Sequence, residues 1–251
     1  MESFELRSSR DKRTHEPVPP PYVYHPPEQW QATPHPPSFL GFYLVLPALV
    51  AASAVALGLK ASVPKKNASD PRFGKWSDED DVMMAQWPSS LFPNQDEIQI
   101  AVAALALATA VFASALLFFV VKGGPLQISY LNRLAIIVHT GLSAAVALAG
   151  TIYVFVLNSS TAIFDIEYAV SVAPTGSGTF IYDQGTFSKE GWSCSARVLK
   201  YFDADLGHVM AKTCSIEMGA RWLSLLLFIL SIALFSLLYL DARRGRFFMR
   251  S

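Results

Sequence analysis

The chain has 251 residues, 52% of them hydrophobic and 16% charged, with a formal net charge of zero. Globular proteins carry about 25% charged residues, and here the deficit is concentrated in four long apolar runs. A neutral chain with no bulk basic field is not built for nucleic acid, and four such runs exclude an ordinary soluble domain.

Residues 1–38 are polar, charged and rich in proline, with no apolar stretch at the start and so no cleavable signal sequence. The first apolar run is therefore expected to act as an uncleaved signal anchor. Within this disordered Pro-rich tail, Pro19-Pro20-Pro21-Tyr22 reads as PPxY. Consecutive prolines favour the polyproline II helix that WW domains bind in aromatic grooves. The segment is thus a candidate docking site for a WW-domain protein, and an ordinary Pro-rich tail is the plainer alternative.

Four runs meet the requirement of roughly 20 apolar residues for about 30 Å of hydrocarbon: 39–59, 98–121, 134–157 and 222–240. Lipid offers no partner for backbone polar groups, so such segments are helical. The expected fold is all-α, a four-transmembrane-helix bundle. Ala48, Ala52 and Ala56, then Ala106, Ala110 and Ser114, then Gly141, Ala145 and Ala149 form small-residue stripes. Such stripes let helices approach closely.

Between the spans lie an outer loop at 60–97, a short loop at 122–133 and a second outer loop at 158–221, followed by a basic tail at 241–251. In the long loop, residues 165–172 alternate imperfectly. Pro174 to Gly178 is turn chemistry, and Thr179 to Tyr182 follows, which is a small β-hairpin signal. Residues 205–221 read as a helix leading into the fourth span.

Basic residues near span ends orient a membrane protein. Lys122, Arg133, Arg243, Arg244, Arg246 and Arg250 favour cytosolic tails, whereas Lys60, Lys65 and Lys66 argue the other way. Asn67-Ala68-Ser69 and Asn158-Ser159-Ser160 are glycosylation sequons in the two outer loops. Cys194 and Cys214, the only cysteines, lie in the second of these loops, which suits a disulfide in an oxidising lumen. Together these place both termini in the cytosol, in the plasma membrane or a secretory-pathway membrane. Arg243, Arg244, Arg246 and Arg250 are then candidate lipid contacts.

No metal-ligand spacing, nucleophile elbow or phosphate-binding loop is present. No cofactor is therefore called for, and catalysis is not expected. The spans hold no Asp, Glu, Lys or Arg; His139 is the lone ionisable group, with Ser53, Ser114, Thr140 and Ser143 as other polar candidates. Ion-coupled carriers normally place charges in the membrane.

Four spans, cytosolic tails and a disulfide-capable outer loop resemble the plan of MARVEL and claudin-like proteins. A claudin would have its Trp and paired Cys in the first outer loop. Here Gly191-Trp192-Ser193-Cys194 and Cys214 lie in the second, and the Cys-Cys-Gly of a tetraspanin is absent. The resemblance implies membrane organisation, trafficking or junction-like roles.

The expected function is a non-enzymatic scaffold or adaptor. It would organise the lipid bilayer or other membrane proteins, self-association included. The alternatives are a transporter or channel subunit and a small membrane enzyme for a hydrophobic substrate, for which Asp203, Asp205 and His208 are the available groups.

Overall fold

The structure is a computed structural model that describes residues 39–63, 73–75, 81–123, 126–127, 130–175, 177–197, 204–244 and 248–249. Four of its helices are long and apolar enough to cross a membrane. They are α1 (Phe39–Ser62), α2 (Gln95–Gly123), α3 (Tyr130–Ser159) and α6 (Ala204–Arg244). They pack in a ring, α1 on α2, α2 on α3, α3 on α6 and α6 on α1, with α2 and α6 also meeting across the middle. The protein is accordingly an integral membrane protein with a mostly helical fold.

The bundle core alternates large and small side chains: Phe42, Leu46, Leu49, Leu227 and Leu234 against Ala52, Ala56, Ala103, Ala106 and Ala110. Small residues are what permit close helix approach where lipid is as apolar as leucine. One tight contact lies between α2 and α3. A methyl group on Gly150 would fall 2.5 Å from Val102 Cγ2. Hydroxyls supplement the packing: Thr151 Oγ1 lies 3.0 Å from the Ser224 carbonyl on α6, and Thr109 Oγ1 donates to Ser143 Oγ at 3.2 Å.

The stripe expectation holds for Ala52, Ala56, Ala106 and Ala110, all buried, but not for the third helix. Ala145 and Ala149 face outward, as does Ala48. The buried face of α3 runs instead through Thr140, Ala144, Ala147, Thr151 and Val154. A strict four-residue spacing drifts off a face that repeats every 3.6 residues, and the hydroxyls of Thr140 and Thr151 move the contact line to their own side.

A second core lies beyond one end of the helices. β2 (Asp81–Ala85) pairs antiparallel with β1 (Phe73–Lys75) and parallel with β4 (Ser177–Phe180), so the first and second outer loops build one sheet. The expected hairpin is corrected here. Residues 166–172 form a helix, α4 (Ile166–Val172), and β4 takes its partner from the other loop. The cause is local: the Asp165 carboxylate accepts from the Glu167 and Tyr168 amides as an N-cap, while Pro174 forces Ala173 into extended backbone and ends the turn.

α5 (Lys189–Ala196) is capped likewise by Ser188, which accepts from Gly191 N. At the opposite end of the bundle β3 (Leu126–Gln127) pairs with β5 (Phe248–Met249), tying the short loop to the C-terminal tail.

α6 has 41 residues, or about 60 Å at 1.5 Å per residue, twice the hydrocarbon thickness. Its lower half fills the bundle with Leu227, Leu234 and Leu238, while Met210 belongs to the second core. The helix expected at 205–221 is thus continuous with the fourth span.

Candidate functional site

The second core is built around Trp192 on α5, which is fully buried. Phe187, Phe164 and Tyr182 surround its ring at centroid distances of 5.1, 5.5 and 5.5 Å. The indole Nε1 donates to the Gln86 carbonyl at 2.8 Å, joining the second outer loop to the first. Further backbone bonds cross between the loops: Ser89 N to the Tyr182 carbonyl, Phe92 N to the Phe187 carbonyl, and Phe187 N to the Ser90 carbonyl. Tyr182 accepts from Asp165 N at 3.0 Å, and burial raises its phenol above the ordinary value. The Cys194–Cys214 disulfide, expected of the only two cysteines in one loop, fastens α5 to α6.

Beneath this module lies a layer of charge in which every acid faces a base. Lys60, near the end of α1, is almost fully buried and donates to Glu217 Oε2 on α6 at 2.5 Å and to Asp96 Oδ1 on α2 at 3.0 Å. Lys189 bonds the other Asp96 oxygen. Arg221 meets Glu190 at 3.1 Å and stacks over Phe155 and Trp222. Burial pushes the Glu190 carboxyl up, opposed by the Arg221 guanidinium. α1, α2, α5 and α6 are thus clamped where the bundle meets the module. Among the described residues, Glu217 Oε1 and Arg221 Nε are buried without a hydrogen-bond partner.

Sequence reasoning missed this layer, because it assigned Lys60 to a solvated loop as an orientation signal. α1 extends to Ser62 and carries Lys60 inward to its acids. The available signal was the pair Glu217 and Arg221, four residues apart immediately before an apolar run, since charges at such depth require partners.

The outer face of the module carries exposed aliphatic side chains. Ile163 is 89% exposed, and Ile166 and Val170 on α4 project outward at 39% and 59%. Ile166 and Val170, four residues apart, lie on one side of α4, and Ile163 precedes its N-cap Asp165. Carboxylates border them: Asp165, Glu167 and Asp183 are all exposed. Asp183 accepts from the Tyr168 hydroxyl at 2.5 Å, which raises that phenol. A hollow of about 520 Å³ lies alongside, lined by Ile163, Ile166, Glu167 and Gln184 among others.

The remaining candidates are dispersed. His139 lies on the exterior of the bundle, its ring edge-on to Phe112 at 6.0 Å and its Nε2 3.4 Å from Thr109 Oγ1. Ser114 and Thr140 donate to carbonyls of their own helices, and Ser53 is buried in α1. Asn158 is the penultimate residue of α3 and is half-buried. His208 is exposed near the start of α6, and Arg243 is exposed near its end. Asn67, Asp203, Arg246, Arg250 and Pro19-Pro20-Pro21-Tyr22 lie outside the described residues, as do the side chains of Asp205 and Arg244. No protein-family model, curated protein or solved structure matches the chain.

Proposed function

We propose that this is a non-enzymatic multi-pass membrane protein that organises partner proteins, with the outer module as its recognition surface. The observation that carries the reading is the outward aliphatic face of Ile163, Ile166 and Val170 on a body held by an aromatic core and a disulfide. Exposed apolar patches with polar borders mark interaction sites, and a rigid support lowers the ordering cost of binding. The acidic border disfavours an anionic lipid surface and favours a protein partner with basic residues around an apolar anchor.

In this reading both termini are cytosolic and the module faces the lumen or the cell exterior, where the disulfide persists. The membrane is that of the cell surface or the secretory route. The sequons at Asn67 and Asn158 lie on the same side. The Pro19-Pro20-Pro21-Tyr22 motif and the arginines at 243, 244, 246 and 250 serve as cytosolic handles for a WW-domain protein and for anionic lipid. Lys60, one of the three lysines that oppose this orientation, is neutralised by Asp96 and Glu217 and carries little weight as a topogenic charge; Lys65 and Lys66 lie outside the described residues. A transport role draws less support, because, of its polar candidates, Ser114 and Thr140 are engaged with carbonyls of their own helices.

The test is co-purification of the full chain from mild detergent, with Ile166→Glu and Val170→Glu as variants. A defined membrane partner or self-association should be recovered with the native chain. The variants should lose it while the Cys194–Cys214 bond still forms. A strictly monomeric, partnerless protein, or variants that retain the partner, would overturn the proposal.

A further inference from the structure

The end of the bundle remote from the module has a different chemistry. A groove of about 560 Å³ opens on the flank of α1 and α2, lined by Phe42, Tyr43, Pro47 and Ala51 on one side and Ser114 and Phe118 on the other. The volume falls within the roughly 300–1,000 Å³ of small-molecule sites. The one hydroxyl-bearing aliphatic side chain in it, Ser114, is turned onto the Ala110 carbonyl at 2.7 Å, so it presents little polarity.

From Phe42 to Ala51 the groove runs nine helical steps, about 14 Å at 1.5 Å each. That is the depth of one leaflet of a hydrocarbon core about 30 Å thick. The groove therefore lies where acyl chains must cover it.

Its mouth is cationic. Lys122 is exposed, and its Nζ stands 6.0 Å from the centroid of the Phe118 ring that lines the groove. Arg243, exposed near the end of α6, belongs to the same end of the bundle. The opposite end, by contrast, neutralises Lys60, Lys189 and Arg221 with Asp96, Glu190 and Glu217.

We infer that this groove is a binding site for one anionic phospholipid, its acyl chain lying between α1 and α2 and its phosphate held at Lys122. Charge complementarity selects the headgroup, and groove depth selects the chain. In the orientation proposed above, the site opens to the cytosolic leaflet, where anionic lipids are concentrated. The site does not depend on the recognition role of the module, and either can fail alone.

The full-length protein in phosphatidylcholine nanodiscs doped with a photoreactive phosphatidylserine provides the test. Native mass spectrometry counts retained lipid, and peptide mapping locates the cross-links. One phosphatidylserine should be retained per chain, with cross-links on residues 42–51 and 114–121. Lys122→Gln should weaken its preference over phosphatidylcholine about fivefold, the effect expected of one juxtamembrane cation.

Ala51→Phe, which fills the groove from an exposed position, should remove the cross-links. Ala54→Phe, equally exposed but outside the groove, should leave them and so controls for folding. Cross-links spread evenly over all four helices, no preference for phosphatidylserine, indifference to Ala51→Phe, or a second protein helix captured in the groove would each overturn the proposal.

Discussion

The bundle and the outer module solve the same packing problem with opposite materials. The bundle is held by alanines, leucines and a few hydroxyls, with backbones close enough that Gly150 has no room for a methyl group. The module is held by packed aromatic rings, most of them edge to face, cross-loop backbone bonds, two side-chain helix caps and a disulfide. In lipid every backbone group must be satisfied within its helix, so shape alone remains to be optimised. In water a body assembled from two loops must offset the entropy of ordering them, and large buried rings and a covalent tie do so. α6 belongs to both regions, and the charged layer at their boundary clamps it to α1, α2 and α5.

The largest expected effect falls on the module. Trp192→Ala should cost about 3–5 kcal/mol, and it would also leave the Gln86 carbonyl without its indole donor. Hydrogen exchange in nanodiscs should show residues 81–92 and 177–196 losing protection together while the centre of the bundle stays protected. If the whole chain loosened equally, the two regions would be one cooperative unit.

At the boundary, Lys60→Met should cost about 3–4 kcal/mol by stranding the Glu217 carboxylate, whereas Lys60→Met with Glu217→Leu should recover most of the loss. Thermal unfolding in detergent measures both. A double variant no better than the single would show that the charged layer stabilises by more than mutual neutralisation.

Replacing Cys194 and Cys214 together by Ser should cost about 3 kcal/mol, since the bond closes a segment of 20 residues. Proteolysis should then begin in the module and leave the bundle intact. Gly150→Ala probes the other side of the comparison. It should cost about 1–2 kcal/mol by overpacking against Val102, should lower the stability of the bundle, and should leave exchange in the module unchanged.

The membrane helices were legible because hydrocarbon imposes a length and forbids charge, and both conditions can be read in residues 39–59 or 222–240 directly. The disulfide was legible because the chain has only two cysteines. The sheet was not, because β2 and β4 are parallel strands separated by two membrane helices, and no local pattern records such a partner. Residues 165–172 alternate weakly enough for either state, and Asp165 and Pro174, one at each end, decided for a helix. The charged layer was hidden for a related reason: Lys60, Asp96 and Glu217 are distant in sequence, and each by itself reads as a solvated flank.

The central claim is that the two outer loops fold as one body on one side of the bilayer. Met83 and Thr179 are register partners between β2 and β4. In native membranes, a chain carrying Met83→Cys and Thr179→Cys should form an intramolecular bond, keep the Cys194–Cys214 bridge and hold its fragments together after cleavage between α2 and α3. Cysteines that do not cross-link, or that react with impermeant reagent from opposite faces of the membrane, would contradict the claim.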